Sequence, residues 1–165
     1  HRNHVWTWDF IFDRTDKGST LKMLTMLTML HEYTRQCLAI RVERQIRSGQ
    51  VLSTLWQAMM TYGIPKHIRS DNGSEFIAQK IQEWLKESQI KTLYIDPGSP
   101  WQNGYIESFH SRFRDECLNR EWLLNLREAR VVIEDWRQYY NIERPHSRLG
   151  YLSPEGFIAN QNVSL

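Results

Sequence analysis

Cysteine is nearly missing from this 165-residue chain: Cys37 and Cys117 are the two that occur, with no CxxC pair and no histidine at metal-ligand spacing. That argues against a disulfide framework and a zinc cluster, and leaves buried thiols in a reducing cytoplasm as the expectation. Long apolar runs are missing too. None approaches the roughly 20 residues that span a bilayer, and no charged-then-apolar signal segment opens the sequence, so no membrane association is expected. Strong charge bias is absent: 21 Lys and Arg against 19 Asp and Glu give a net charge of +2, a mild lean toward polyanions. There is no internal repeat and no low-complexity stretch, so residues 1–165 read as one domain, with a basic tail from about residue 141.

Large side chains are plentiful. Seven Trp, seven Tyr and six Phe can fill the single core that a chain of this length builds. Val5 to Phe12 alternates, with Trp6, Trp8, Phe10 and Phe12 on one side and Val5, Thr7, Asp9 and Ile11 on the other. Such a strand is apolar on both faces, hence central, with one carboxylate embedded in it. Asp13 to Ser19 suits a turn, and Thr20 to Leu30 and Gln36 to Val42 continue an antiparallel meander.

Helices then alternate with short strands. Ser48 is the expected cap of a helix ending at Gly63-Ile64-Pro65. His67 to Ser70 is a strand that ends at Asp71, where Asn72-Gly73 turns the chain and Ser74 is the expected cap of the next helix. Thr92 to Ile95 gives a fifth strand, followed by a Pro- and Gly-rich loop from Asp96 to Gly104. Ile106, Phe109, Phe113 and Cys117 then define the core face of a long helix, with Glu107 at its border. Asn125 and Glu128 form a capping box for the final helix. The order describes an α/β fold of ribonuclease H-like type, a mixed five-stranded sheet flanked by helices.

Three carboxylates stand out: Asp9 within Trp8-Asp9-Phe10, Asp71 heading Asp71-Asn72-Gly73-Ser74-Glu75-Phe76, and Glu107 in Glu107-Ser108-Phe109, with thirty-five residues, 72–106, between the last two. Two strand aspartates and a helix glutamate can converge at one end of a sheet and hold Mg²⁺ beside a phosphodiester. Asp9, between aromatic neighbours, is costly to desolvate without a cation. Asp71 taken alone reads equally as a turn aspartate, whereas Glu107 taken alone is most often a surface helix glutamate, and its case rests on the spacing and the ordered motifs around it.

The motifs Trp8-Asp9-Phe10, Gly63-Ile64-Pro65, Ser70-Asp71-Asn72-Gly73-Ser74-Glu75-Phe76, Gln102-Asn103-Gly104, Glu107-Ser108-Phe109 and Arg144-Pro145-His146-Ser147 occur in order. In this the chain resembles the catalytic cores of insertion-sequence transposases of the retroviral-integrase-like type, which carry an Asp, Asp, Glu triad with a 35-residue spacing. The resemblance spans nearly the whole chain and departs at His31-Glu32, where relatives often carry an aspartate.

The resemblance implies DNA strand cleavage and transfer by in-line attack on phosphorus, using two Mg²⁺ or Mn²⁺ ions about 4 Å apart. Asp9 would bridge both ions, Asp71 would hold one and Glu107 the other. It also implies DNA ends and target as partners, self-association, and a bacterial, nucleoid-associated setting. An upstream helix-turn-helix portion for end recognition is not present in this sequence, which reads as an excised fragment from His1-Arg2-Asn3-His4 onward.

Around the triad, Trp101 is a candidate for stacking on an unpaired base, with packing on its own loop as the alternative. Gln102, Asn103 and His110 are candidates for positioning DNA, and Arg114 for meeting a phosphate or pairing with Glu107 or a neighbour. Arg144, His146 and Arg148 read as a phosphate-binding, partner-binding or solvated tail. A hydrolytic nuclease of the same fold, and a DNA-binding or assembly module whose chemistry has lapsed, are the alternative functions.

Overall fold

The computed structural model describes residues 1–17, 20–73, 76, 78–121 and 123–163. Its strands are β1 (Val5–Lys17), β2 (Thr20–His31), β3 (Cys37–Glu43), β4 (His67–Ser70) and β5 (Lys91–Tyr94), in one sheet of order β3-β2-β1-β4-β5. β1, β2 and β3 pair antiparallel, whereas β4 lies parallel to both β1 and β5. Helices α1 (Ser48–Tyr62), α2 (Gln79–Glu87), α3 (Gly104–Phe113), α4 (Leu126–Ile142) and α5 (Pro154–Val163) flank this sheet. The architecture is the mixed, ribonuclease H-like one that the element order predicts.

Alternation in β1 divides the interior into two cores. Trp6 and Trp8 pack with Leu27, Leu55, Phe76 and Ile81 on the side of α1 and α2. Ile11 packs with Leu24, Met26, Phe109, Phe113 and Trp136 on the side of α3 and α4. A strand buried on both sides has its register firmly set, because a one-residue slip would exchange the two faces. Cys37 and Cys117 are both free and buried, as expected.

Several boundaries differ from the sequence reading. β1 does not give way to a turn at Asp13; Asp13 to Lys17 stay in register with Thr20 to Leu24 of β2. Ladder hydrogen bonds of the hairpin outweigh the weak strand preference of those residues, and buried Thr15 accepts a 2.9 Å bond from Arg44. At α1 the cap is Arg47, whose backbone N–H is taken by the Gln50 side chain at 2.8 Å, with Ser48 inside the first turn. The Ser74 cap lies outside the described residues. α3 ends at Phe113 and passes into a π-helical turn, Arg114–Leu118, that keeps Cys117 buried in line with Phe113. The Asn125 cap stands: its side chain accepts from the Glu128 N–H at 2.8 Å.

The expected solvated tail is instead folded. After α4 a 3-10 turn, Ser147–Leu149, and a left-handed Gly150 (φ 63°) lead to a bridge between His146 and Leu152 and then to α5. His146 is buried edge-on against Tyr140 at 4.8 Å, and Arg144 pairs with Glu116 at 2.8 Å. Aromatic packing and a charge-assisted pair therefore hold two of its three basic residues in place. Among the described residues no helix is long and apolar enough to cross a membrane.

Asn141 ties α4 to the sheet. Its side chain accepts from the Cys37 N–H at 2.8 Å and donates to the Cys37 carbonyl at 2.9 Å, both buried. Arg137 also donates to that carbonyl at 2.9 Å, so only the N–H depends on Asn141 alone. Asn141→Ala should cost about 1–3 kcal/mol for one stranded buried donor. Urea unfolding measures this, and a loss below about 0.5 kcal/mol contradicts the assignment.

Candidate active site

The parallel pairing of β1 with β4 places Val5 opposite His67 and Thr7 opposite Arg69. Asp71 directly follows β4, at its carboxyl end, and its carboxyl group meets that of Asp9 on one face of the sheet. Phe76, five residues after Asp71, is clamped on the other face between Trp8 and Phe10, stacked on each at 4.8 Å. The residues flanking Asp9 thus anchor the segment that carries Asp71. Asp71 also plays the local part open to it from the sequence, since its Oδ1 accepts the Gly73 N–H at 2.8 Å.

Asp9 is held by more contacts. Its Oδ1 accepts the Phe10 N–H at 2.9 Å, and its Oδ2 lies 3.5 Å from Asn103 Nδ2. Directly across the ladder, Thr28 donates its hydroxyl to the Asp9 carbonyl at 3.1 Å and meets His110 Nε2 at 2.6 Å. Burial pushes the Asp9 carboxyl up to about 7; the Phe10 N–H opposes this and the Asp71 carboxylate reinforces it. His110 is pushed down to about 4 by burial and then by Arg114, so it stands neutral between Thr28 and the site.

Asn103, His110 and Arg114 mark one stripe at the start of α3 and beyond it. Asn103 reaches Asp9, His110 reaches Thr28, and Arg114 donates to the Phe12 carbonyl at 2.9 Å. Glu107 shares that helical spacing, on the first turn of α3, but its side chain is exposed. Among the described residues no three His, Cys, Asp or Glu side chains gather closely enough to hold a metal ion. The structure therefore brings Asp9 and Asp71 together and leaves Glu107 outside that pair.

The remaining candidates are distributed as follows. Trp101 is 74% exposed at the head of the 3-10 turn Pro100–Asn103. Gln102 accepts from the Asp96 N–H at 2.8 Å and donates to its carboxylate at 3.1 Å, which closes the loop on itself. Arg114 bonds a strand carbonyl rather than Glu107. At the departure His31-Glu32, buried His31 accepts the Asn3 N–H at 2.8 Å and Glu32 pairs with Arg69 of β4 at 2.7 Å. Both residues brace strand ends.

The Thr28 contacts and the aromatic stack of Phe76 escaped the sequence reading. Thr28 was detectable as the polar residue interrupting the apolar face of Leu24, Met26 and Leu30. The Phe76 stack depends on tertiary placement, and no local pattern marks it.

The donor chemistry suits a hard divalent cation. Asp9 and Asp71 offer carboxylate oxygens, and burial beside Asp71 opposes ionisation of Asp9 unless positive charge intervenes. Asn103 Oδ1, in the same cluster, is buried without a hydrogen-bond partner, a further oxygen able to serve a hydrated ion.

Residues 1–100 match the integrase core domain, and residues 88–154 match a second integrase core domain description. The chain belongs to the integrase core family. It is 42% identical over 158 residues to an uncharacterized 39.2 kDa protein of insertion element IS476 from Xanthomonas euvesicatoria, which covers 96% of this chain and 45% of that protein. It is 40% identical over 162 residues to an uncharacterized 31.7 kDa protein of insertion element IS407 from Burkholderia multivorans, covering 98% of this chain and 57% of that one. The chain thus spans about half the length of these curated relatives. The magnesium-bound, dimeric HTLV-2 integrase catalytic core domain superposes with a TM-score of 0.73 at 21% identity, over 94% of this chain and 96% of that one, and shares the fold.

The Asp9 environment sets a pH dependence. Its carboxyl titrates near 7 in the fold against an ordinary value of 3.8. Between these values the folded chain keeps a proton that the unfolded chain has released, so this group lowers stability as pH rises. His31, His110 and His146, each pushed down to about 4 chiefly by burial, act oppositely between that value and 6.5. Asp9→Asn removes only the first effect. In chelator, the variant should gain stability over the native chain progressively from about pH 4 to 7 and keep a constant advantage above that. Urea midpoints across this range check it, and a difference independent of pH contradicts it.

Proposed function

We propose that this chain is the catalytic core of an insertion-sequence transposase that cleaves and joins DNA strands with Mg²⁺ or Mn²⁺. The observation that carries the reading is the meeting of Asp9, within β1, with Asp71, just past the end of the parallel strand β4, in an integrase-core chain. Asp9 and Asp71 hold the cation, and Glu107, on the Asn103–His110–Arg114 stripe of α3, completes the ligand set by rotating inward. Two ions bound there supply activation of the attacking hydroxyl and stabilisation of the leaving oxygen.

The chain's own groups prepare that chemistry. Burial and the Phe10 N–H fix the Asp9 carboxylate, and Asn103 orients its second oxygen. Neutral His110, locked to Thr28, offers a positioning contact to DNA without adding charge. Arg114 supplies a cation near the β1 edge for a phosphate. Trp101, which is exposed, stacks on an unpaired base. Gln102 acts on the DNA only indirectly, by fixing the loop that presents Trp101.

The partners that follow are the DNA ends of the element, its target, and a second copy of the chain, since two ends must be held together. The likeness to an integrase core in dimeric form supports the last. End recognition belongs to the part of the longer relatives that this chain does not span, where a helix-turn-helix unit fits the task. The setting is the bacterial cytoplasm, at the nucleoid.

A preformed branched DNA with Mn²⁺ tests the proposal while bypassing end recognition. The native chain should resolve the branch by transesterification, and Asp71→Asn and Glu107→Gln should each lose about 100-fold or more, the scale of removing one transition-state partner. Hydrolysis without strand joining contradicts the transposase reading in favour of a nuclease. Full activity in Glu107→Gln contradicts the assigned ligand set.

A further inference from the structure

Outside the carboxylate site lies a cavity of about 360 Å³ bordered by Arg35, Arg112, Arg148, His146, Ser108 and Trp101. Its three arginines come from three separate elements: the turn after β2, the last turn of α3, and the 3-10 turn Ser147–Leu149. Among the described residues no carboxylate lines it. Among the described residues none of the three guanidinium groups has an ion pair or hydrogen bond; Arg35 lies over the Tyr105 ring at 4.0 Å.

Positive charge gathered without a direct ion pair is costly to assemble. The crowding registers on its members: burial lowers Arg35, an effect that Tyr105, Tyr140 and Glu32 oppose and Arg148 reinforces, and His146 is pushed down to about 4 by burial and then by Arg144, Arg112 and Arg35, against Glu116. His146 is 4% exposed, and its Nε2 is buried with no hydrogen-bond partner. A polar atom left unpaired in a cationic cavity is the complement of an anion that brings several acceptor oxygens.

The cavity is distinct from the carboxylate pair. Tyr105, Ser108 and Arg112 recur at i, i+3 and i+7 on α3, roughly opposite the Asn103, His110 and Arg114 stripe at ~100° per residue. The two surfaces are separate flanks of one helix, with Ile106, Phe109 and Phe113 buried between them.

We propose that this cavity binds a phosphodiester of an unpaired DNA strand, with Arg35, Arg112 and Arg148 on the phosphate and Trp101, on the cavity border, stacking the adjoining base. The size suits one nucleotide unit, near the lower end of ligand sites. Arginine forks match phosphate oxygens, and an exposed indole accepts any base. The choice of DNA as the source of the phosphate rests on the transposase reading. The site gives the chain a second hold on DNA, able to retain a displaced strand on the far flank of α3.

The test is fluorescence anisotropy of a fluorescein-labelled oligothymidine against the whole chain in EDTA, where metal-dependent chemistry is silent. Arg112→Gln/Arg148→Gln should weaken binding about tenfold or more and flatten its salt dependence. Trp101→Ala should weaken it about tenfold with the salt slope unchanged. Lys80→Gln/Arg127→Gln removes the same charge from exposed sites elsewhere and should bind within about twofold of native. Should the arginine pair fail to fold, Arg148→Gln alone, an exposed side chain, reads the same effect.

Native affinity and salt slope in folded arginine variants overturn the proposal, as does an equal loss in the Lys80/Arg127 control. Arginine-dependent binding of pyrophosphate by a native chain that ignores oligothymidine overturns DNA as the source. Failure of the transposase reading shows up separately, as absent Mn²⁺-dependent strand joining, which the EDTA measurement does not register.

Discussion

The parallel pairing of β1 with β4 is the constraint on which the rest depends. It brings two carboxylates together in a part-buried setting, an arrangement that mutual repulsion and desolvation both oppose. The opposition is met elsewhere, by Trp6 and Trp8 in the core beneath and by Phe76 stacked between Trp8 and Phe10. Buried aromatics each contribute several times what one hydrogen bond does, so the fold can hold a local arrangement that is unfavourable by itself. Such stored opposition is characteristic of functional sites.

α3 organises what surrounds the pair. One flank sends Asn103, His110 and Arg114 toward β1 and β2, another buries Ile106, Phe109 and Phe113, and a third borders the arginine-lined cavity. α4 supports the helix from behind through Trp136 and Tyr140, which pack on Phe109. Asn141 and Arg137 tie α4 in turn to the end of β3. Displacing either helix would therefore disturb the carboxylate flank and the cavity together.

Much of this was legible in the sequence, where physics is local or periodic. The two-sided alternation around Asp9 gave a central strand, and the helical stripe Ile106, Phe109, Phe113 and Cys117 survived even where the backbone passes into a π-helical turn. The strand ending at Asp71 and the Asn125 cap were readable because turn and cap chemistry is carried by a few adjacent residues. Less legible was whatever tertiary contact decides. Asp13 to Lys17 look like a turn but are held in the hairpin ladder by their partners. Arg144 and His146 look solvated but are held by Glu116 and Tyr140, more than 25 and about 6 residues away along the chain. The exposure of Glu107 matches its reading as a surface glutamate, whereas its approach to the aspartates was beyond the sequence, because helical periodicity fixes the stripe and leaves the reach of a long side chain open.

Carbon-13 NMR of the Asp9 carboxyl, titrated first in chelator and then in saturating Mg²⁺, tests the central claim most directly. The account predicts a midpoint near 7 in chelator, falling well below that when Mg²⁺ is added, because the cation removes both the repulsion from Asp71 and the cost of a buried negative charge. A midpoint in the ordinary carboxylate range that Mg²⁺ does not move would contradict it.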